Sequence, residues 1–507
     1  MAVPNEDLFE LIHALTPSEK RYFKLFAQRQ GDDKHKLYVK VFDIIDAMTG
    51  AYDEQIIKKK LRSPKFVKQL PQIKVYLFDL IMKSMRLYRS DKDVANEVFD
   101  LIRDELFFTE KGLKELRIKT IHKAKEIAYQ YDIMYLLVTL LRRERVYMLK
   151  FPDGDPFAHL EKIHKEEAWV FERLNNETLV GEVYYSLFTQ HIKDPTLREE
   201  ITLPGFAENL KRVQAMPYAD QHTFLEKFYW LRVQALLHRI NRKYADVYEV
   251  TKQLIDLFKD YPQHRMNVMG NYMDALSNFL GAGHAINNYE AYDETLRILE
   301  SLEASTVKDK LSVDTSVMQY RMLWYMNTNQ LHRSIEIMER FQALQKEYAH
   351  LLSDTFVLST QYNLAVMLFF AEEYDLSLNY CKEVIESKGQ IKLELQHGGR
   401  LLYLLLQLEL NNLVYFDSAL RSNTRLMKQT GRYKEFEQAF CGFVKKLIQT
   451  PHKQRLPVLR DMYDTFQKMK ANSKPREFVF IDETLYWSKA RLNSIPLNQA
   501  LALSIDA

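Results

Sequence analysis

Apolar residues in this chain recur at helical spacing from one end to the other, and an alternating apolar–polar pattern nowhere persists beyond a few residues. Val94, Val98, Leu101, Ile102 and Leu106, for example, follow the i, i+4, i+7, i+8 order of a helix packed on one side. Chain breakers are few, with 14 Gly and 14 Pro in 507 residues, while Leu, Tyr, Lys and Glu abound. A parallel-sheet enzyme would carry more Gly-rich turns. The expected fold class is therefore all-α. Hydrophobic residues at 47% and charged residues at 27% allow a large core and separate the chain from disordered sequences.

Punctuation along the chain divides it further. Thr16-Pro17-Ser18-Glu19 is a capping box with Pro at the first helical position, so a helix is expected to start there and run through Phe23 and Phe26. Gly50 stops a later amphipathic segment, and Pro71 is expected to open a long helix whose Ile73, Leu77, Ile81, Met85 and Tyr88 share one face. Residues 1–90 thus make a compact helical N-terminal domain, and a basic one. They hold 17 Lys/Arg against 11 Asp/Glu, whereas the remaining residues are net acidic, at −3. Residues 91–214 give irregular helical pairs, with helices expected at about 113–130, 133–149, 157–174, 177–192 and 207–214.

The second half repeats. In the stretch from Tyr362 to Cys381, Leu364-Ala365 precedes an aromatic Tyr374 and a small Ser377. Aligning that small position gives Thr295, Ser334, Ser377 and Ala419, at intervals of 39, 43 and 42 residues. Tyr292, Leu331, Tyr374 and Phe416 stand three residues before them. Over roughly residues 230–430 this pattern resembles the tetratricopeptide repeat family; the N-terminal region carries no such likeness. The resemblance implies an α-solenoid of helix pairs over 215–430, small residues where paired helices cross, and a concave groove that holds a peptide or helix. Carried over to this sequence, the groove-lining positions are Tyr362, Val366, Phe369 and Phe370 in one repeat and Gln319, Leu323 and Met326 in the one before. Tyr362 and Val366 stand where some family members clamp a carboxylate, so an apolar or aromatic peptide is the expected occupant. Phe436, Phe440, Phe443 and Leu447, then Leu456, Leu459, Met462 and Phe466, read as a capping helix pair over 431–470, followed by a C-terminal tail over 471–507.

Signs of catalysis are missing from the sequence. No phosphate-binding loop, nucleophile elbow or zinc-protease motif occurs, and the 14 His include no pair at i, i+3 or i, i+4, so no metal, cofactor or enzymatic activity is expected. Cys381 and Cys441 fall on apolar helix faces, where a thiol acts as a small hydrophobe. A run from Thr355 to Ala371 lacks charge but is short for a membrane span, and Glu6, Asp7 and Glu10 interrupt any signal-peptide pattern. A cytoplasmic protein is expected. Lys58, Lys59, Lys60, Arg62, Lys65 and Lys68 form a basic cluster without a nucleic-acid-binding motif, which favours a solvated surface. The expectation is a protein-interaction scaffold or adaptor. The alternative is a peptide-sensing regulator whose basic N-terminal helices contact nucleic acid or a response protein.

Overall fold

The computed structural model describes residues 5–29, 33–50, 52–61, 64–89, 94–152, 154–193, 205–216, 223–267, 269–304, 306–387, 393–472 and 480–505. Among these residues the chain forms 25 α-helices and no strand, as the periodicity requires. It divides into two compact units, residues 1–185 with 203–230 and residues 186–202 with 231–507.

The first unit opens with α1 (Asn5–Ala14), α2 (Pro17–Arg29), α3 (Asp33–Asp46), α4 (Glu54–Leu61) and α5 (Pro64–Arg89). These share one core, built on Leu8, Ile12, Phe23, Phe42, Ile45, Leu77 and Ile81. The capping box at the start of α2 forms as expected. Thr16 donates its N–H to the Glu19 carboxylate at 2.9 Å, and its hydroxyl accepts the Glu19 N–H at 3.3 Å. Pro71 does not open α5. It lies inside a helix that begins at Pro64, where burial of Leu70 and Ile73 on either side offsets the missing N–H.

Next come α6 (Val94–Glu110), α7 (Lys114–Gln130), α8 (Met134–Lys150) and α9 (Pro156–Lys193). Two helices were expected over 157–192; nothing between Leu174 and Glu177 breaks the helix, and one long α9 results. The face of α6 also differs from expectation. Val98 and Ile102 are buried, but Leu106 is exposed and Glu105, 1% exposed, takes the inner position instead. Glu105 is buried because it is fully partnered. Its carboxylate accepts Nε of Arg117 at 2.6 Å and is also held by Arg143, which ties α6, α7 and α8 together.

There follow α10 (Phe206–Ala215), α11 (Phe224–Ile240), α12 (Tyr244–Asp260), α13 (Gln263–Asn267), α14 (Met269–Ala285), α15 (Tyr292–Glu300), α16 (Val307–Asn327), α17 (Ser334–Tyr348), α18 (Asp354–Phe370), α19 (Tyr374–Glu386), α20 (Leu393–Glu409), α21 (Leu413–Gln429), α22 (Glu435–Gln449), α23 (Arg455–Asn472), α24 (Ile481–Asn493) and α25 (Leu497–Ile505). In the second unit α14 packs on α16, α16 on α18, α18 on α20 and α20 on α22, while α15, α17, α19 and α21 fill the spaces between.

One turn geometry joins these helices. Its middle residue is left-handed at Gly112, Asp132, Arg242, Asn287, Asn329, Glu372, Asn411 and Gly431, with φ from 52° to 69°. The next residue's N–H then reaches back to a carbonyl five residues earlier, as from Glu373 to Leu368 at 2.9 Å and from Asn412 to Gln407 at 3.0 Å. Gly, Asn and Asp adopt this conformation readily. Arg242 and Glu372 do so at a cost of about 1 kcal/mol each.

α18 has no polar face. Every residue from Thr360 to Phe370 except Asn363 is buried, and α16, α17, α19, α20 and α25 surround the helix. Where α18 meets α19, Ser377 is 0% exposed and its hydroxyl donates to the Ala365 carbonyl at 2.6 Å. Thr295 and Ser334 are buried in the same way, whereas Ala419 is only half-buried. Ser377→Trp should force α18 and α19 apart and cost about 1–3 kcal/mol or more by overpacking. Ser377→Ala should cost only about 1 kcal/mol, for the hydrogen bond. Denaturant titration of the two variants checks this, and equal midpoints would contradict the close approach.

Candidate partner-binding surface

The positions expected to line a groove do not form an open one. Tyr362, Val366, Phe369 and Phe370 are all buried in the largest core of the second unit. On one side the Tyr362 ring lies over Gly398 of α20, so close that a Cβ there would stand 2.5 Å from the tyrosine oxygen. On another, α24 covers the face. Phe370 meets Tyr486 edge-on at 6.3 Å between ring centres, and the Glu483 carboxylate adds to the burial that pushes the Tyr362 phenol well above its ordinary pKa. The face that the resemblance assigned to a foreign peptide is covered by this chain's own C-terminal helices. Gln319, Leu323 and Met326 are half-buried, and Met326 packs against the same core.

α24 and α25 are held by charge as well as by apolar contact. Arg491 donates Nε and Nη2 to the two oxygens of Glu409 at 2.8 and 2.7 Å, and Nη2 also reaches the Tyr374 hydroxyl at 2.8 Å. Trp487 donates its indole N–H to Glu409 at 2.6 Å, and the Leu497 N–H donates to Glu372 at 3.3 Å. Residues 481–505, expected as a tail, are two helices whose Leu485, Trp487, Ala490, Leu497 and Ala500 belong to the core.

The N-terminal basic cluster is partly neutralised. Lys58 pairs with Glu54 at 2.7 Å, and buried Lys74 reaches the other oxygen of that carboxylate at 2.7 Å. Lys59, Lys60 and Lys68 are exposed. Arg62 and the side chain of Lys65 lie outside the described residues. Neither cysteine is poised to react. The Cys381 thiol donates to the Gly399 carbonyl at 3.0 Å, and burial pushes both thiols up, Cys441 to about 11.

Exposed apolar side chains gather instead in the first unit, at one end of the α6–α8 group. Phe107 on α6, Leu113 in the turn, Leu116 on α7 and Leu149 on α8 are all exposed. Ring contacts tie these elements together: Arg117 lies 5.5 Å from the Tyr147 ring, Tyr147 stands 5.3 Å from Phe151, and the Lys114 ammonium sits 4.3 Å above Phe151. A second ammonium, Lys111, lies 5.5 Å from the Phe107 ring. Lys150, Glu110 and Glu115 are also exposed here, giving the apolar patch a mixed, mildly basic rim. Farther along, at the start of α9, Phe157 is 82% exposed. Periodicity missed this patch because Phe107, Leu113 and Leu116 read as ordinary positions on helices already given one inner face. The available signal was apolar residues left over on the second face.

A group of carboxyls occupies the same unit. Asp132 accepts the Phe224 N–H at 2.6 Å, Glu226 closes a capping box with Thr223 at the start of α11, and the Glu177 carboxyl lies within their field. Burial pushes Asp132 up to about 6, against the opposing effect of the Phe224 and Leu225 N–H groups, and burial followed by repulsion from Asp132 and Glu226 pushes Glu177 up to about 7. Folding therefore raises both affinities for a proton. The stability they contribute is complete below their unfolded values of 3.8 and 4.5 and is lost as the pH rises through about 6 and 7. Glu177→Gln should raise the melting temperature at pH 8 and leave it nearly unchanged at pH 4.5. Thermal melts at the two values check this; a variant that melts lower at pH 8 would contradict it.

Compared with known proteins, the chain matches no family model, no curated protein and no solved structure.

Proposed function

We propose that the chain is a non-enzymatic, cytoplasmic scaffold or adaptor. Its second unit is read as a solenoid of tetratricopeptide-like helix pairs and its first unit as the part that presents a docking surface. Two features support the solenoid reading: each helix pair of the second unit touches the next, and the same left-handed turn recurs between paired helices. The single observation that carries the interaction reading is the gathering of exposed Phe107, Leu113, Leu116 and Leu149 at one end of α6–α8. Exposed apolar side chains at the same end of three packed helices, flanked by charge, suit a partner that buries them.

The occupant this surface fits is an amphipathic helix that sets two or three large apolar side chains between Phe107, Leu116 and Leu149. Acidic flanks on that helix would meet Lys111, Lys114 and Lys150. This reading moves the docking site away from Tyr362 and its neighbours, which serve the core.

Partner capture from the native cell, compared quantitatively between parent and variant, tests it. Phe107→Asp/Leu149→Asp should lower retention of the specific partner by about thirtyfold or more, the weight of one or two apolar anchors. The melting curve should change far less than partner retention, because both side chains are more than half exposed. Partners retained equally by parent and variant would contradict the proposed surface.

A further inference from the structure

A second surface, in the other unit, has a different chemistry. α21 and α22 flank an open surface cleft of about 520 Å³, lined by Arg421, Thr424, Arg425 and Lys428 on one side and by Tyr433, Gln438, Gly442 and Lys445 on the other. Four cations face this space, and no carboxylate lines it. Elsewhere in the second unit several cations are matched by carboxylates. Arg340 pairs with Asp314 at 2.9 Å, Arg491 with Glu409 at 2.7 Å, and Arg432 with Glu394. Among the described residues, Arg425 and Lys445 have no such partner. Arg421 spends only Nε, on the Asp417 carbonyl at 3.2 Å, and Lys428 rests 5.2 Å from the centre of the Tyr433 ring. Glu437, a carboxylate near the start of α22, is engaged by the Lys434 backbone N–H at 3.1 Å.

Like charges four residues apart on a helix repel, and Arg421, Arg425 and Lys428 stand at i, i+4 and i+7 along one stripe of α21. No carboxylate lines the cleft to offset that repulsion, so an anion entering it would relieve it. The stripe is about 10 Å long at the rise of an α-helix, which exceeds the reach of a single carboxylate or orthophosphate. Gly442 keeps the opposite wall open: a Cβ built there meets nothing within 4 Å. Thr424 lines the cleft between the cations.

We propose that this cleft binds a phosphorylated small molecule carrying at least two linked phosphoryl groups. Guanidinium forks match phosphoryl oxygens in pairs, and ammonium groups add unoriented positive charge, so Arg421, Arg425, Lys428 and Lys445 together suit a chain of phosphates. The volume is that of a small-molecule site. Tyr433 and Gln438 supply a ring and an amide for whatever the phosphates are attached to.

Calorimetric titration of the full chain with inorganic tripolyphosphate, orthophosphate and a hexaglutamate peptide tests this at about 0.15 M salt, where exposed charges are screened beyond about 8 Å. Tripolyphosphate should bind one to one, at least tenfold more tightly than either of the others. Arg425→Glu/Lys445→Glu should weaken it by roughly a hundredfold or more, since each cation is worth about tenfold. Gly442→Leu keeps every charge and favours the helix but fills the cleft, and it too should weaken binding by about tenfold or more. No heat with millimolar tripolyphosphate would overturn the proposal, as would binding that both variants retain. Hexaglutamate bound as tightly as tripolyphosphate would overturn the phosphate assignment in favour of acidic peptides.

Discussion

An apolar helix with no polar side has to be enclosed on all sides, and α18 imposes that condition on this molecule. Exposing its face from Tyr362 to Phe370 to water would forfeit about 1.5–3 kcal/mol for each large side chain. The neighbours on either side in sequence, α17 and α19, cover part of it, and α16 and α20 cover more. The remaining face is closed by α24 and α25, from the end of the chain. Their attachment is correspondingly specific. Glu409 takes two hydrogen bonds from Arg491 and one from Trp487, and Glu372 receives the Leu497 N–H. Without that closure, α18 would be half of an open groove.

How much of this was legible in the sequence depended on how local the cause was. The capping box at Thr16 and Glu19, the buried Ser377 and the inner face of α22 follow from neighbouring residues, and each is found where the spacing puts it. Periodicity gives a face only when polar residues mark the other side. Along α18 they do not, so Phe369 and Phe370 could be assigned to a groove by resemblance although both are core. The segment that covers them lies more than a hundred residues further on, and no spacing rule reaches that far. Glu105 failed for a related reason. A carboxylate at an inner position looks wrong until Arg117 and Arg143, on two other helices, are seen to meet it.

The two surfaces stand out beside the ion pairs and packed cores of the same molecule. Glu105 is met by two arginines and Glu409 by Arg491 and Trp487, and many large apolar side chains are inside. Against that background, exposed Phe107, Leu116 and Leu149 are an excess of apolar surface, and Arg425 and Lys445 are an excess of positive charge. On the proposals made above, each marks a place where the sequence serves something besides folding. Their chemistries differ, so the apolar partner and the polyanion proposed here would take separate footholds, on separate units.

Amide hydrogen exchange across α18 tests the central claim, that this chain's own C-terminal helices close the face of α18. If they do, the amides from Tyr362 to Phe370 exchange only through the largest openings of the second unit, among the slowest in the chain. Exchange of those amides as fast as along the exposed face of α21 would mean that the face is open, and that the groove is there after all.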